Sequence, residues 1–236
     1  MQSVQPSHLE PAYVLHSRAY SNTSLLVDCF TLNFGWFTAV VKGARTRSRA
    51  YGGTIIQPFT PLQVKWRGRG EVKTLTDYEA ADQAILLKGK RLYCALYLNE
   101  LIIRLLGKYE PFPSLFAYYT ETLAKLSSDE EIEVILRRFE LELLDSLGYG
   151  LIPGDRGESE SQIHPNQRYS YLHNTGLQLA NTDSNLSVSG ETLIALSSGS
   201  QLNHLQKREA RELMRYVLSC YLGSKPLKSR ELFSTF

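Results

Sequence analysis

Short runs rich in apolar residues punctuate the first third of the chain, and from about residue 80 onward apolar positions recur every three to four residues. The early runs lie at 12–16, 23–31, 35–42, 62–66 and 71–76, as in TSLLVDCFT and GWFTAVVK. They are rich in β-branched and aromatic residues, and this pattern predicts five short strands. Turn residues separate them: Asn33 and Gly35 around Phe34, Gly52-Gly53, and Arg67-Gly68-Arg69-Gly70 at a hairpin tip. Residues 18–22 and 43–53 read as loops. Five strands with glycine-rich turns suit a small closed barrel of the OB type. An SH3-like barrel accounts for the same strand count.

The pattern changes near Ala80. Apolar residues at helical spacing predict helices over 90–106, 114–126 and 130–147. Ser128 with Glu131 three residues on has the form of a capping box for the third. Residues 150–188 are rich in Gly, Ser, Asn and Pro, with strand-like pieces at Arg168–Leu172 and Gly176–Leu179. Helices are expected again over 190–196 and 202–222, the last with Leu205, Leu213, Val217 and Leu218 inward. The expected fold class is therefore α+β. A barrel domain spans 1–80, and a mainly helical domain spans 81–236 with a loop and β insertion at 150–188.

Net charge is only +2, but its distribution is uneven. Residues 1–75 hold nine basic and three acidic residues, 127–160 hold ten acidic and three basic, and 204–236 hold seven basic and three acidic. Segregation of this kind separates anion-seeking from cation-seeking surfaces. On the barrel, Lys42, Arg45, Arg47, Arg49, Lys65, Arg67, Arg69 and Lys73 are interleaved with Tyr51, Phe59, Trp66 and Tyr78. Cations attract phosphates and exposed rings stack on unpaired bases, the combination a single-strand groove needs. Arg45, Arg47 and Arg49 at spacing two would share one face of an extended segment. Lys207, Arg208, Arg211 and Arg215 lie on the outer face of the last helix and could extend the track. A solvated surface with core aromatics is the competing account. Trp36, Phe37 and Trp66 are expected at least partly in the core.

No GxxxxGK[ST], GxGxxG after a strand, HExxH or GxSxG occurs, and the five histidines show no ligand spacing. The acids of 129–145 lie beside Arg137 and Arg138 along one helix, where pairing along the helix explains them better than acid–base chemistry. No catalytic residues, metal site or cofactor are expected. The three cysteines, Cys29, Cys94 and Cys220, are far apart, as for free thiols in a reducing compartment. No apolar run has the roughly 18 residues a membrane span needs. The stretch MQSVQPSHLEP has no signal-peptide pattern. A cytoplasmic protein is expected, and, with no coiled-coil repeat, a monomer.

Several segments together resemble the RecO family of bacterial recombination mediators. They are YVLHSRAYSNTSLLVDCFT at 13–31, VKGAR at 41–45, QPFTPL at 57–62, GRGEVKTL at 68–75, LYLNEL at 96–101, LRRFELELLDSLGYG at 136–150 and GSKPLKSRELF at 223–233. The resemblance spans most of the chain in the family's order. It implies an N-terminal OB-fold and a helical C-terminal domain that bind single- and double-stranded DNA and anneal complementary strands. It also implies work with RecR to load RecA onto DNA coated by single-strand binding protein, in the cytoplasm at the nucleoid. The acidic C-terminal tail of that protein is the implied ligand of the helical domain, at a position matched by Arg137. An intrahelical pair of Arg137 with Glu133 or Glu140 is the plain alternative. Many family members carry a four-cysteine zinc site in the insertion. Residues 150–188 have no cysteine, so the resemblance is to a zinc-free branch. A protein-docking adaptor with weak DNA contact is the rival function, and RNA could occupy the same barrel.

Overall fold

The computed structural model describes residues 6–47, 56–151, 163–173, 175–181 and 186–235. The chain forms two compact units, Met1–Ser128 with Leu227–Phe236, and Asp129–Pro226.

The first unit is built on a closed barrel of β1 (Glu10–Tyr20), β2 (Ser24–Thr31), β3 (Gly35–Val41), β4 (Leu62–Arg67) and β5 (Val72–Ala80). Its strand order is β1-β2-β3-β5-β4, closed by antiparallel pairing of β1 with β4, while β3 and β5 run parallel. Alternate residues turn inward, and Val14, Val27, Cys29, Phe37, Ala39, Val64, Trp66 and Leu75 form the core. The first strand is longer than its apolar run. It continues through Tyr20, because residues 16–20 pair with 24–28 of β2. The loop expected at 18–22 is thus mostly strand, with a tight turn at Ser21, whose φ is 54°.

Two helices, α2 (Gly89–Leu105) and α3 (Pro113–Ser127), pack on the barrel. Tyr13 and Phe30 meet Phe116 and Tyr119 of α3 at ring separations of 5.2–6.0 Å. Asn99 is buried in the apolar stripe of α2, and both ends of its amide are engaged: it donates to the Leu15 carbonyl over 2.7 Å and accepts from Tyr119 Oη over 2.6 Å. Gly35 has φ +66°, and a Cβ there would lie 2.2 Å from the Glu110 carbonyl oxygen, so only glycine fits. The C-terminal 3-10 segment Lys228–Thr235 returns to this unit. The Glu100 carboxylate accepts from the Lys228 and Ser229 amides and the Ser229 hydroxyl.

The second unit holds α4 (Ile132–Ser146), α5 (Gly190–Ser198) and α6 (His204–Leu222), with a three-stranded sheet ordered β7-β6-β8. Its strands are β6 (Arg168–Leu172), β7 (Gly176–Leu179) and β8 (Val188–Ser189). The capping box expected at Ser128 does not form. The Ser128 hydroxyl donates backward to the Lys125 carbonyl at the end of α3, and α4 starts after Glu131. A reciprocal cap occurs instead at Asn203 and Gln206, opening α6. Leu205, expected inward, is 62% exposed; Leu202, just before the helix, takes the buried place.

Candidate nucleic-acid interface

The barrel sorts its cations by strand register. Arg67, Arg69, Lys65, Lys42 and Arg45 are exposed. Lys65 faces outward from β4 and donates to the Ser7 carbonyl over 3.3 Å. Arg67 ends β4, and Arg69 stands in the following turn, where Gly68 has φ +123°. Among the described residues none of these five is in an ion pair with an acid.

Lys73 is different. It pairs with Ala39, an inward-facing core residue, and is only 7% exposed. Its ammonium donates to the Gly68 carbonyl over 3.2 Å and lies 4.9 Å from the centre of the Tyr109 ring. Lys73 is thus buried against the core, with its ammonium held at the loop that carries Arg69 and not on the open barrel surface.

The arginine loop also departs from the extended geometry expected of it. Ala44–Arg47 form one helical turn, α1, so spacing of two does not align side chains there. The Arg45 guanidinium donates to the Ser21 and Asn22 carbonyls over 3.3 and 3.2 Å, and its amide donates to the Thr23 carbonyl, bracing the β1–β2 turn. The Arg47 side chain and all of Arg49 lie outside the described residues.

The tryptophans are withdrawn from solvent. Trp36, Phe37 and Trp66 are 7%, 0% and 2% exposed, so all three are core rather than stacking residues. The exposed aromatic of the barrel strands is Tyr20, 50% exposed at the end of β1, in a stretch whose polarity reads as loop. Its alternation with Ser17 and Ala19 was the available signal.

On α6, three of the four proposed cations are occupied. Lys207 pairs with Glu131, Arg211 with Glu133, and Arg208 with Glu212 at 3.1 Å. Arg215 is exposed. Arg137 pairs with Glu140 at 2.6 Å, their side chains 12% and 1% exposed, and its Nε is buried without a hydrogen-bond partner among the described residues. Arg138 donates to the Gly199 carbonyl over 2.6 Å. Both arginines line one small recess with Val134, Ala195, Leu196 and Leu202, although about 100° separates successive residues on a helix. Its volume of about 10 Å³ is near the minimum for a single water.

A carboxylate hub organises the rest of this unit. Glu209 accepts from Thr192 Oγ1 (2.6 Å), Ser189 Oγ (2.7 Å), the Ser189 amide (3.2 Å) and Arg168 (2.9 Å). Burial pushes its carboxyl up, but the hydrogen bonds from Thr192, Ser189 and Arg168 prevail and hold it below the usual carboxylate range. Among the described residues no group of three or more metal-ligating side chains occurs, and no helix is long and apolar enough to cross a membrane.

A closed five-stranded OB-type barrel with basic loops, followed by a helical region, defines the class. Comparison with known proteins narrows it. The family model described as Recombination protein O N terminal matches residues 5–84, and that described as Recombination protein O C terminal matches 86–231. The DNA repair protein RecO of Nitrosococcus oceani is 43% identical over 226 residues, 95% of this chain and 92% of that relative. The RecO of Methylococcus capsulatus is 42% identical over 95% of this chain and 92% of its own length, and that of Nitrosospira multiformis 40% over 98% and 97%. The chain belongs to the RecO family, whose role is in DNA repair and recombination.

Proposed function

We propose that this chain binds single- and double-stranded DNA on its barrel and anneals complementary strands. With RecR and single-strand binding protein it helps load RecA. It acts as a monomer in the cytoplasm, at the nucleoid, without catalytic turnover or a cofactor. Residues 1–80 supply the DNA-binding domain. Residues 81–236, with the 150–188 insertion, supply partner docking.

The supporting observation is the contrast between two sets of cations. Lys42, Arg67 and Arg69 stand exposed at strand ends and turns of the barrel with no acid partner among the described residues, whereas Lys207, Arg208 and Arg211 each sit against a carboxylate. Surface ion pairs are worth at most about 1 kcal/mol, so they could open. The acids would still repel phosphate, which favours the barrel as the main DNA surface. Lys42, Arg45, Arg47, Arg49, Lys65, Arg67 and Arg69 hold backbone and leave base edges free to pair. Arg215 adds a contact from α6.

The acidic tail of single-strand binding protein is assigned to the recess at Arg137 and Arg138, with Val134, Leu196 and Leu202 as its apolar floor. The recess must widen to accept a terminal aromatic. Arg137→Ala would leave Glu140 buried without this cation and so perturb folding. Arg138→Ala is therefore the cleaner variant for tail-peptide titration.

The test is the annealing rate of two complementary oligonucleotides, bare and coated with single-strand binding protein. Intact protein accelerates both, and a Lys42/Arg67/Arg69→Ala variant loses most of the acceleration on bare strands. Absence of acceleration by the intact protein on bare strands would overturn the annealing role and favour the adaptor.

A further inference from the structure

One cross-strand row runs over the outside of the whole barrel. Arg18 on β1 is opposite Leu26 on β2, Leu26 is opposite Val40 on β3, Val40 is beside Thr74 on β5, and Thr74 is opposite Arg67 on β4. Cross-strand neighbours share a face. The two arginines at its ends are exposed and the three residues between them are half-buried. Four strand steps at about 4.8 Å make the path along this row about 19 Å, measured around the curved outer surface of the closed barrel. Tyr20 lies two residues beyond Arg18 on the same face, by the period of a strand. It is exposed, and the turn after it is braced by Arg45 through the Ser21 and Asn22 carbonyls.

A half-exposed ring on a braced turn, at one end of a row of half-buried Leu26, Val40 and Thr74 flanked by two guanidinium groups, suits one ligand chemistry. The ring offers a face to an unpaired base, and the guanidinium groups take the flanking phosphates. Duplex DNA presents no free base face there. The other aromatics of the barrel strands are buried or half-buried, so no second ring competes for the role among the described residues.

The geometry points to Tyr20 as the base-stacking residue of a single-strand track that runs along Arg18, Leu26, Val40, Thr74 and Arg67. This rests on the proposed DNA-binding function and specifies which strands the barrel prefers. Phosphate contact is shared by every nucleic acid, but stacking requires a base, so Tyr20 discriminates a base-bearing single strand from its bare backbone.

The test measures binding of an oligo(dT) and of an abasic strand of equal length to the intact chain, Tyr20→Ala and Tyr20→Phe. The intact protein should prefer oligo(dT). Tyr20→Ala should lose roughly tenfold in affinity for it, with binding of the abasic strand unchanged, and Tyr20→Phe should restore the preference. In Tyr20→Trp, the new indole should be quenched by oligo(dT) against the background of buried Trp36 and Trp66. Equal affinity of the intact protein for both strands, or oligo(dT) binding by Tyr20→Ala like that of the intact chain, would overturn the stacking role and leave DNA binding standing. Failure of the intact protein to bind either strand would overturn the DNA-binding function and this assignment with it.

Discussion

The Trp36 indole on β3 donates a hydrogen bond to the Leu106 carbonyl, at the C-cap of α2, over 2.8 Å. The same tryptophan's carbonyl accepts from the Tyr109 amide over 3.0 Å, and the Lys108 ammonium lies 5.2 Å from the centre of its ring. A helix end leaves carbonyls without intrahelical partners, and here a strand residue satisfies one. Trp36→Phe keeps much of the ring and removes the donor. It should destabilise the protein by about 1–3 kcal/mol, read as a Tm lowered by a few degrees. Oligonucleotide affinity should stay within about twofold in the folded variant.

Glu209 makes part of the stability depend on acid. Its carboxyl titrates below the usual range when folded, so its contribution is complete above the ordinary carboxylate pKa of about 4.3. That contribution is lost as pH falls through the folded value. Thermal melts should show Glu209→Gln less stable than the parent at pH 7, with the gap narrowing below about pH 4.5. Glu100 is held low by Ser229 and Lys228 against the upward push of burial, so it contributes with the same sign. Glu209→Gln alone should therefore not abolish the acid sensitivity.

The strands were legible because runs of β-branched and aromatic residues are separated by turn residues over most of the barrel, and the helices because their stripes are long. What escaped depends on register and reach. Val72, Lys73 and Thr74 alternate, and charge makes Lys73 read as the outward residue. Parallel pairing with β3 instead places Val72 49% exposed and Lys73 against the core. The lysine tolerates this because its long stem carries the ammonium to the Gly68 carbonyl and the Tyr109 ring. Tyr20 escaped because residues 16–20 are too polar to read as strand, and only pairing with β2 extends β1 that far. The pairings of Lys207 and Arg211 with Glu131 and Glu133, at the start of α4, join residues more than 70 positions apart, which spacing along one helix does not encode.

The three thiols should react in a fixed order. Cys29 and Cys94 are buried, and burial, with the Asp28 charge adding to it, pushes the Cys29 thiol up to about 12. Cys220 is half-buried, and burial raises its thiol as well. The thiolate is the reactive form. Maleimide at pH 7 should therefore label Cys220 first and slowly, and Cys29 and Cys94 only on addition of denaturant. Mass mapping of the labelled peptides reads the order.

The central claim is that exposed barrel cations neutralise DNA phosphates. The slope of log affinity against log salt tests it most directly, measured for a single-stranded oligonucleotide with the intact chain, Arg67→Ala/Arg69→Ala and Lys73→Met. Each lost phosphate contact should flatten the slope by about 0.7 for single strands, so the double arginine variant should be flatter by about 1.4. Lys73→Met should be less stable but keep the parent slope, because its ammonium is spent on Gly68 and Tyr109. An unchanged slope in the arginine variant, or a slope near zero in the intact protein, would contradict the account.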